Sequence, residues 1–443
     1  MDTPIFDFLQ RYDNDHMARF HMPGHKGAAF LGCEHLDITE VKGADALYEA
    51  DGIIAESEGH AAALFGSQRT CYSTEGSSQC IRAMLYLALT NRPAGAAPMI
   101  VAARNVHKAF VYAAALLDLE VVWLWPEESR SVCGCPVSPE YLEKTLSAMD
   151  APPAAVYVTS PDYLGGVADI AALAEVAHRY GTVLAVDNAH GAYLHFLNPA
   201  VHPLDLGADL CCDSAHKTLP VLTGGAYLHI SKRLPTAFAE NAKSALGLFG
   251  STSPSYLTMA SLDLCNRYLA EDYSTRLAEI VARVKAIRTQ LTEVGWQVEP
   301  SDPLRLTICA PDGWTGMDLG ERLRAGGVEG EYADDAFLVL MLTPENTAEE
   351  LSRILTALGE NHAPQASRPV LPLARGEQVT SIRQALFAPH ETISVAQAFG
   401  RVCGAPTVSC PPAIPIAVSG ERIGREAIEL FQHYDIQNVD VLK

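Results

Sequence analysis

The chain has 443 residues, with 32 Lys and Arg against 53 Asp and Glu, for a formal net charge of −21. So acidic a surface repels nucleic acid and anionic membranes and argues against both as partners. No run of about 18 uncharged apolar residues is present, so no membrane span is expected. The N-terminal MDTPIFDFLQRYDND lacks the basic-then-apolar pattern of a signal peptide, and a cytoplasmic location is expected. An apolar fraction of 48% with 19% charged residues suits a well-buried globular chain, and the length suggests about two to three domains. The 11 cysteines are an odd number scattered through apolar segments, which reads as reduced structural thiols, with no metal site and no disulfide framework.

In chain order, residues 1–67 mix short helices with Gly/Pro loops and are expected to pack on the following domain. Residues 68–256 alternate strands and helices. Apolar runs at Met99–Ala102, Val121–Trp125, Ala154–Thr159, Val183–Val186, Leu210–Cys212 and Gly225–Ile230 read as buried parallel strands, with helical patterns such as Ala168–Tyr180 between them. The alternation predicts an α/β domain with a mostly parallel sheet. One or two long amphipathic helices follow over Leu257–Val294. Strand-like Leu304–Cys309 and Phe337–Leu342, with helices at Met317–Ala325 and Thr347–Leu358, make residues 257–361 a smaller α+β domain. A Pro-bearing stretch, His362–Pro372, leads into a C-terminal extension, 362–443, with its own Pro/Gly-rich run at Cys410–Gly420.

Four short segments carry the chemistry. Ser214-Ala215-His216-Lys217-Thr218 follows a strand. Burial lowers a lysine pKa and frees the amine to form an imine with an aldehyde cofactor, while Ser214 and His216 are hydrogen-bond donors for a phosphate. Taken alone, Lys217 reads first as a solvated surface lysine, where most lysines sit. Asp187, in Ala185-Val186-Asp187-Asn188-Ala189-His190-Gly191, stands at the end of an apolar strand, where α/β folds bind ligands. A carboxylate there keeps a pyridine nitrogen protonated, and Ala189 can pack under the ring; the plain alternative is a helix N-cap. Ser73-Thr74-Glu75-Gly76-Ser77-Ser78-Gln79 precedes the helical pattern CIRAMLYLAL and suits an anion at a helix N-terminus, or simply a capped helix. Arg104-Asn105-Val106-His107-Lys108 ends a strand, and His107 can stack on the other ring face or serve as a satisfied structural histidine.

With Phe20-His21-Met22-Pro23-Gly24-His25-Lys26-Gly27, Asp37-Ile38-Thr39-Glu40-Val41, Thr159-Ser160-Pro161-Asp162-Tyr163, Ser214 to Pro220 and Thr252-Ser253-Pro254-Ser255-Tyr256 added, the chain resembles the prokaryotic ornithine/lysine/arginine decarboxylase family over nearly its whole length. The resemblance implies an aspartate-aminotransferase-like fold and pyridoxal 5'-phosphate (PLP) held as a Schiff base on Lys217, with Asp187 on the pyridine nitrogen, His107 stacked on the ring and Ala189 beneath it. Thr74, Gly76, Ser77, Ser214 and His216 would hold the phosphate, with His190 also in the cofactor set. The active site would lie at the interface of a homodimer or higher homo-oligomer, with Thr252 and Ser253 reaching the neighbour's cofactor. The implied reaction is decarboxylation of a small basic amino acid (arginine, lysine or ornithine) to CO2 and an amine, as in polyamine biosynthesis. Lys217, His216 and His107 would be catalytic, and either Lys217 or His216 would protonate Cα. The chain enters the family pattern by Phe20, so it reads as the short form without the response-regulator-like module.

The chain departs from the family pattern chiefly on the substrate side. Ala405, Cys410 and Ala413 replace an acid, an aromatic and a glycine in the run Gly404–Pro415; Asn188 replaces an acid, Tyr193 a common histidine and Lys42 a proline. A dibasic substrate needs an acid for its far cationic end, because an unpaired buried cation costs several kcal/mol. Glu331, Asp334 and Asp162 are the candidate acids, with His25 also on the substrate side. Transamination or elimination on the same fold, and a non-catalytic regulatory homologue, are the rival readings; intact Lys217, Asp187 and His107 speak against the last.

Overall fold

The apolar runs become strands because their side chains are covered on both faces, and the amphipathic stretches between them become helices with one buried stripe. A computed structural model describes residues 1–365, 370–408 and 412–443. The chain divides into two units that interleave in sequence: residues 1–96, 154–156 and 170–275, and residues 97–153, 157–169 and 276–443.

In the first unit the strands Arg69–Ser73, Ala226–Ile230, Leu210–Asp213 and Val183–Asp187 lie side by side in that order. Val183–Asp187 runs parallel to Leu210–Asp213. Ala226–Ile230, read from sequence as a parallel strand, is antiparallel to both of its neighbours. The reason lies in the connection. Only the four-residue helix Ala215–Thr218 and a turn separate it from Leu210–Asp213, too little for a crossover to a parallel position. Arg69–Ser73 was not anticipated; its five residues carry no alternation to separate them from the helices on either side. The 14-residue helix Ser77–Thr90 packs on this sheet through Cys80, Ile81, Met84 and Leu87. Helices Pro4–Asn14, Ile53–Leu64 and Tyr256–Ala270 form a second layer. There the buried Asp263 accepts from the Ile5 and Phe6 N–H groups at 2.9 and 3.0 Å, capping the first helix from a distant part of the chain.

In the second unit Ala97–Ala103 and Glu120–Leu124 pair in parallel across the helix Lys108–Leu116. Arg305–Cys309, Phe337–Met341 and Tyr332–Ala333 make an antiparallel three-stranded sheet. The helices beside it, Gly316–Ala325 and Ala348–Leu358, each start with a capping box, Thr315 with Asp318 and Thr347 with Glu350. The long amphipathic stretch resolves into two helices, Tyr256–Ala270 and Tyr273–Glu293. In the C-terminal extension His390–Ser394 pairs antiparallel with Asn438–Leu442, and Phe431, Val441, Ala398 and Cys403 form its core. Arg104 joins this core, donating to Pro415 O and Ile416 O at 2.8 and 3.0 Å and to Glu421 at 3.3 Å, with its guanidinium over Trp123 and Trp125. Ala413 sits at φ +61°, so the left-handed conformation that suits glycine is kept although the side chain is not. Cys410, Ser409 and Pro411, and residues 366–369, lie outside the described residues.

Candidate active site

Strand Leu210–Asp213 delivers Ser214 and then the short helix that bears the lysine. Lys217 Nζ lies 2.9 Å from His190 Nε2, and His190 itself is buried on the loop after Val183–Asp187. His216 is fixed by Gly225 O, which accepts from its backbone N–H at 3.2 Å and from Nδ1 at 3.0 Å, so the Nδ1 position carries the ring proton. Asp187 is the last residue of its strand and only 3% exposed. Its Oδ1 accepts from Ala189 N–H at 3.2 Å and faces the Cys212 thiol at 3.7 Å. The chain then turns into the short 3-10 helix Ala192–Phe196, so Asp187 closes a turn and caps no α-helix.

A glycine-lined cradle lies at the start of the helix Ser77–Thr90. Gly76 N–H donates to Gly224 O at 2.7 Å. Both glycines have positive φ, +74° and +95°, and a Cβ on Gly224 would meet Thr74 O at 2.7 Å. Gly76 is the N-cap of Ser77–Thr90 and gives it no side-chain cap; Gln79 N–H donates to Gly76 O at 3.2 Å, and the Ser77 and Ser78 N–H groups at the helix start suit an anion. Ser214 Oγ donates to Ser77 Oγ at 2.8 Å, so two hydroxyls from separate segments meet at that helix start. Ser73 Oγ holds the loop by donating to Gln79 Oε1 at 2.5 Å, and Gln79 Nε2 in turn donates to Tyr48 OH and Leu246 O, both at 2.9 Å. The donor set fits PLP: hydroxyls and a helix N-terminus for a phosphate, a buried carboxylate for a pyridinium, an amine for an aldehyde.

Other expected residues of this unit lie as follows. Ser253 N–H donates to Ser251 Oγ at 3.1 Å in the exposed stretch Ser251–Ser253, and Ser251 N–H donates to Glu75, next to Thr74 and Gly76. His25 Nε2 is 3.2 Å from Asp37 Oδ2, and its Nδ1 accepts from Gly27 N–H. In the second unit His107 caps Lys108–Leu116, its Nδ1 accepting from Ala109 N–H at 3.2 Å. Asp162 Oδ1 accepts from Leu164 and Gly166 N–H at 2.9 and 2.8 Å, and burial pushes its pKa up to about 6. Asp334 is occupied as a turn former, taking Ala336 and Phe337 N–H on one oxygen and Tyr332 OH on the other. Glu331 is exposed and accepts from Tyr163 OH at 2.6 Å.

Sequence reasoning passed over Asp213, His202 and His229. Asp213 is fully buried and accepts from His202 Nε2 and His229 Nε2, each at 3.1 Å. His202, Cys211 and Asp213 are close enough to suggest a metal centre. The hydrogen bonding speaks for a different use. Leu204 N–H donates to His202 Nδ1 at 3.2 Å, so the ring proton is on Nε2, the atom that would have to ligate. An isolated histidine in an apolar stretch carries no sequence signal; only the folded sheet brings these two to one carboxylate.

A family model for the Orn/Lys/Arg decarboxylase major domain matches residues 3–317. The chain belongs to that family. This decarboxylase is 29% identical to the uncharacterized protein YaaO of Bacillus subtilis over 97% of its own length and 93% of that protein's. It is 28% identical to the arginine decarboxylase of the same organism over 99% and 94%. In structure it is similar to the Francisella novicida lysine decarboxylase LdcF, with a TM-score of 0.82 at 16% identity, covering all of this chain and 81% of the other. The fold is that of the PLP-dependent decarboxylases, and the enzyme is a PLP-dependent decarboxylase of basic amino acids. No helix among the described residues is long and apolar enough to cross a membrane.

Proposed function

We propose that the decarboxylase takes arginine, in the cytoplasm, with Lys217 as the residue that bonds the cofactor and Asp187 as the partner of its ring nitrogen. The observation that carries the reading is the pairing of Lys217 Nζ with His190 Nε2 at 2.9 Å on the loop that begins at the buried Asp187. Arginine is placed first because the curated relatives matched along most of the chain include arginine decarboxylases of Bacillus.

When bound, PLP supplies an electron sink for the pair released as CO2 leaves. The residues do the rest. Thr74, Gly76, Ser77, Ser214 and His216 would hold the phosphate, and Ala189 and His107 would serve the ring. Asp187 would favour the protonated ring nitrogen. His190 would take up or return the Lys217 proton, and Lys217 would deliver one to Cα, a role for which His216 is less suited because its Nδ1 proton is held by Gly225 O. Glu331, held by Tyr163 and keeping a second carboxylate oxygen, is the acid proposed for the guanidinium, and His25 completes the substrate side.

A homodimer is part of the reading. The segment after the first helix is held by Glu34, whose carboxylate accepts from Phe30, Leu31 and Gly32 N–H, yet it leaves Phe20 96% and Leu31 91% exposed. Apolar side chains presented on a fixed loop suit a second copy, whose Thr252 and Ser253 would approach the cofactor. Incubation with arginine, lysine and ornithine, with CO2 and amine identified, tests the reaction. An oxo-acid product would point to transamination instead.

A further inference from the structure

The hydrogen bonds around Asp213 join the two segments that bear the cofactor-binding groups. Asp213 immediately precedes Ser214 and the Lys217 turn; Asn188 immediately follows Asp187. Asn188 Nδ2 donates to Asp213 Oδ1 at 2.7 Å. His202 Nε2 and His229 Nε2 donate to Oδ2, and the Cys211 thiol lies 3.6 Å from Oδ1. Both imidazoles are set as donors from their far sides. Leu204 N–H occupies His202 Nδ1, and Thr70 Oγ1 is 2.8 Å from His229 Nδ1. Burial holds the His229 pKa below the ordinary imidazole range, so that ring is neutral, and the two histidines hold Asp213 well below the usual carboxylate range against the opposing effect of its own burial. The carboxylate, standing at the start of the lysine turn, is thus the common acceptor for donors from the Asn188 loop, the His202 loop and the His229 strand.

We propose that Asp213 is a positioning residue for the cofactor: it anchors the Asp187 loop to the Lys217 turn through Asn188, and so sets the spacing between carboxylate and amine that one ring must bridge. The inference rests on the assignment of Lys217 and Asp187 to PLP. It also gives a physical reason for Asn188. An acid in that place would set a second carboxylate at hydrogen-bond distance from Asp213, whereas the amide supplies a donor and leaves the anchor ionised.

The test is a PLP titration of the purified apo full-length chain, read by visible absorbance and by quenching of intrinsic fluorescence, with Tm measured alongside. Asn188→Ala removes only the link and is expected to raise the apparent Kd for PLP about tenfold or more and to shift the bound absorbance band. Asn188→Asp is expected to act in the same direction, and Asp213→Asn more strongly. If Asp213→Asn does not fold, Asn188→Ala still decides. A lowered Tm with unchanged Kd and unchanged spectrum in Asn188→Ala would mean that the network serves folding alone, and would overturn the proposal. A Schiff-base absorbance band that survives in Lys217→Ala would instead overturn the underlying assignment, and the inference with it.

Discussion

Lys217 Nζ lies 2.9 Å from His190 Nε2, so the amine proposed to bond PLP has an imidazole in hydrogen-bond contact. Replacement His190→Gln keeps a polar side chain but removes a titratable base. The expected result is a fall in kcat of about 10²-fold, the low end of general acid–base effects, with a smaller change in PLP affinity. Steady-state rates and a PLP titration on the same preparation check it; equal losses in both would assign His190 to binding.

The cradle makes a sharper structural prediction. Gly224 has φ +95°, and a Cβ there would approach Thr74 O to 2.7 Å, a backbone atom that cannot swing aside. Gly224→Ala is expected to destabilise the chain by roughly 1–3 kcal/mol and to weaken PLP binding, because the Gly76–Gly224 hydrogen bond must open. Thermal unfolding of the apo and PLP-loaded variant measures the two effects separately.

The pH dependence of stability follows from His229. Its folded pKa is lowered, chiefly by burial. Below about pH 6.5, the ordinary imidazole value, the unfolded chain binds a proton here that the folded chain rejects. Stability is therefore retained above that pH and falls as the pH drops. Asp213, with a lowered pKa of its own, contributes fully above about pH 3.9 and is lost only in stronger acid, so it does not mask the effect. The raised pKa values of Asp162 and His195 act in the opposite direction in both proteins, so the readout is the Tm difference between wild type and His229→Gln. That difference is expected to shift against the wild type from pH 7 to pH 5; an unchanged difference would contradict the assignment.

On the substrate side the two acids of the Glu331–Asp334 loop separate. Glu331→Gln is expected to raise KM for arginine about tenfold with little change in Tm, since Glu331 is exposed and bonded to a single hydroxyl. Asp334→Asn is expected to lower stability by about 1–3 kcal/mol, because its carboxylate closes the Asp334–Phe337 turn. Kinetics and thermal melts on both variants check the contrast.

The sequence was most legible where chemistry demands particular residues at short spacing. Lys217, Ser214 and His216 share one turn, and Asp187, Ala189 and His190 one loop, so a local motif could put them forward as a site. Strand positions followed from unbroken apolar runs, as at Val183–Val186, which the structure extends by one residue to Asp187. Strand direction did not, because Ala226–Ile230 is buried on both faces in either orientation and only its short connection to Leu210–Asp213 sets its sense. Asp213 with His202 and His229 was out of reach for a related reason: the partners stand 11 and 16 residues away and meet only after the sheet forms. Asp334 was legible as an acid but not as a turn former, since its donors are backbone N–H groups.

The central claim is that the amine at Lys217 and the carboxylate at Asp187 hold one PLP molecule for decarboxylation. Borohydride reduction of the PLP-loaded chain, followed by peptide mapping, tests it most directly. The account predicts a single pyridoxyl-modified peptide bearing Lys217, absent in Lys217→Ala together with CO2 release from arginine. Modification at another lysine, or undiminished CO2 release in Lys217→Ala, would contradict it.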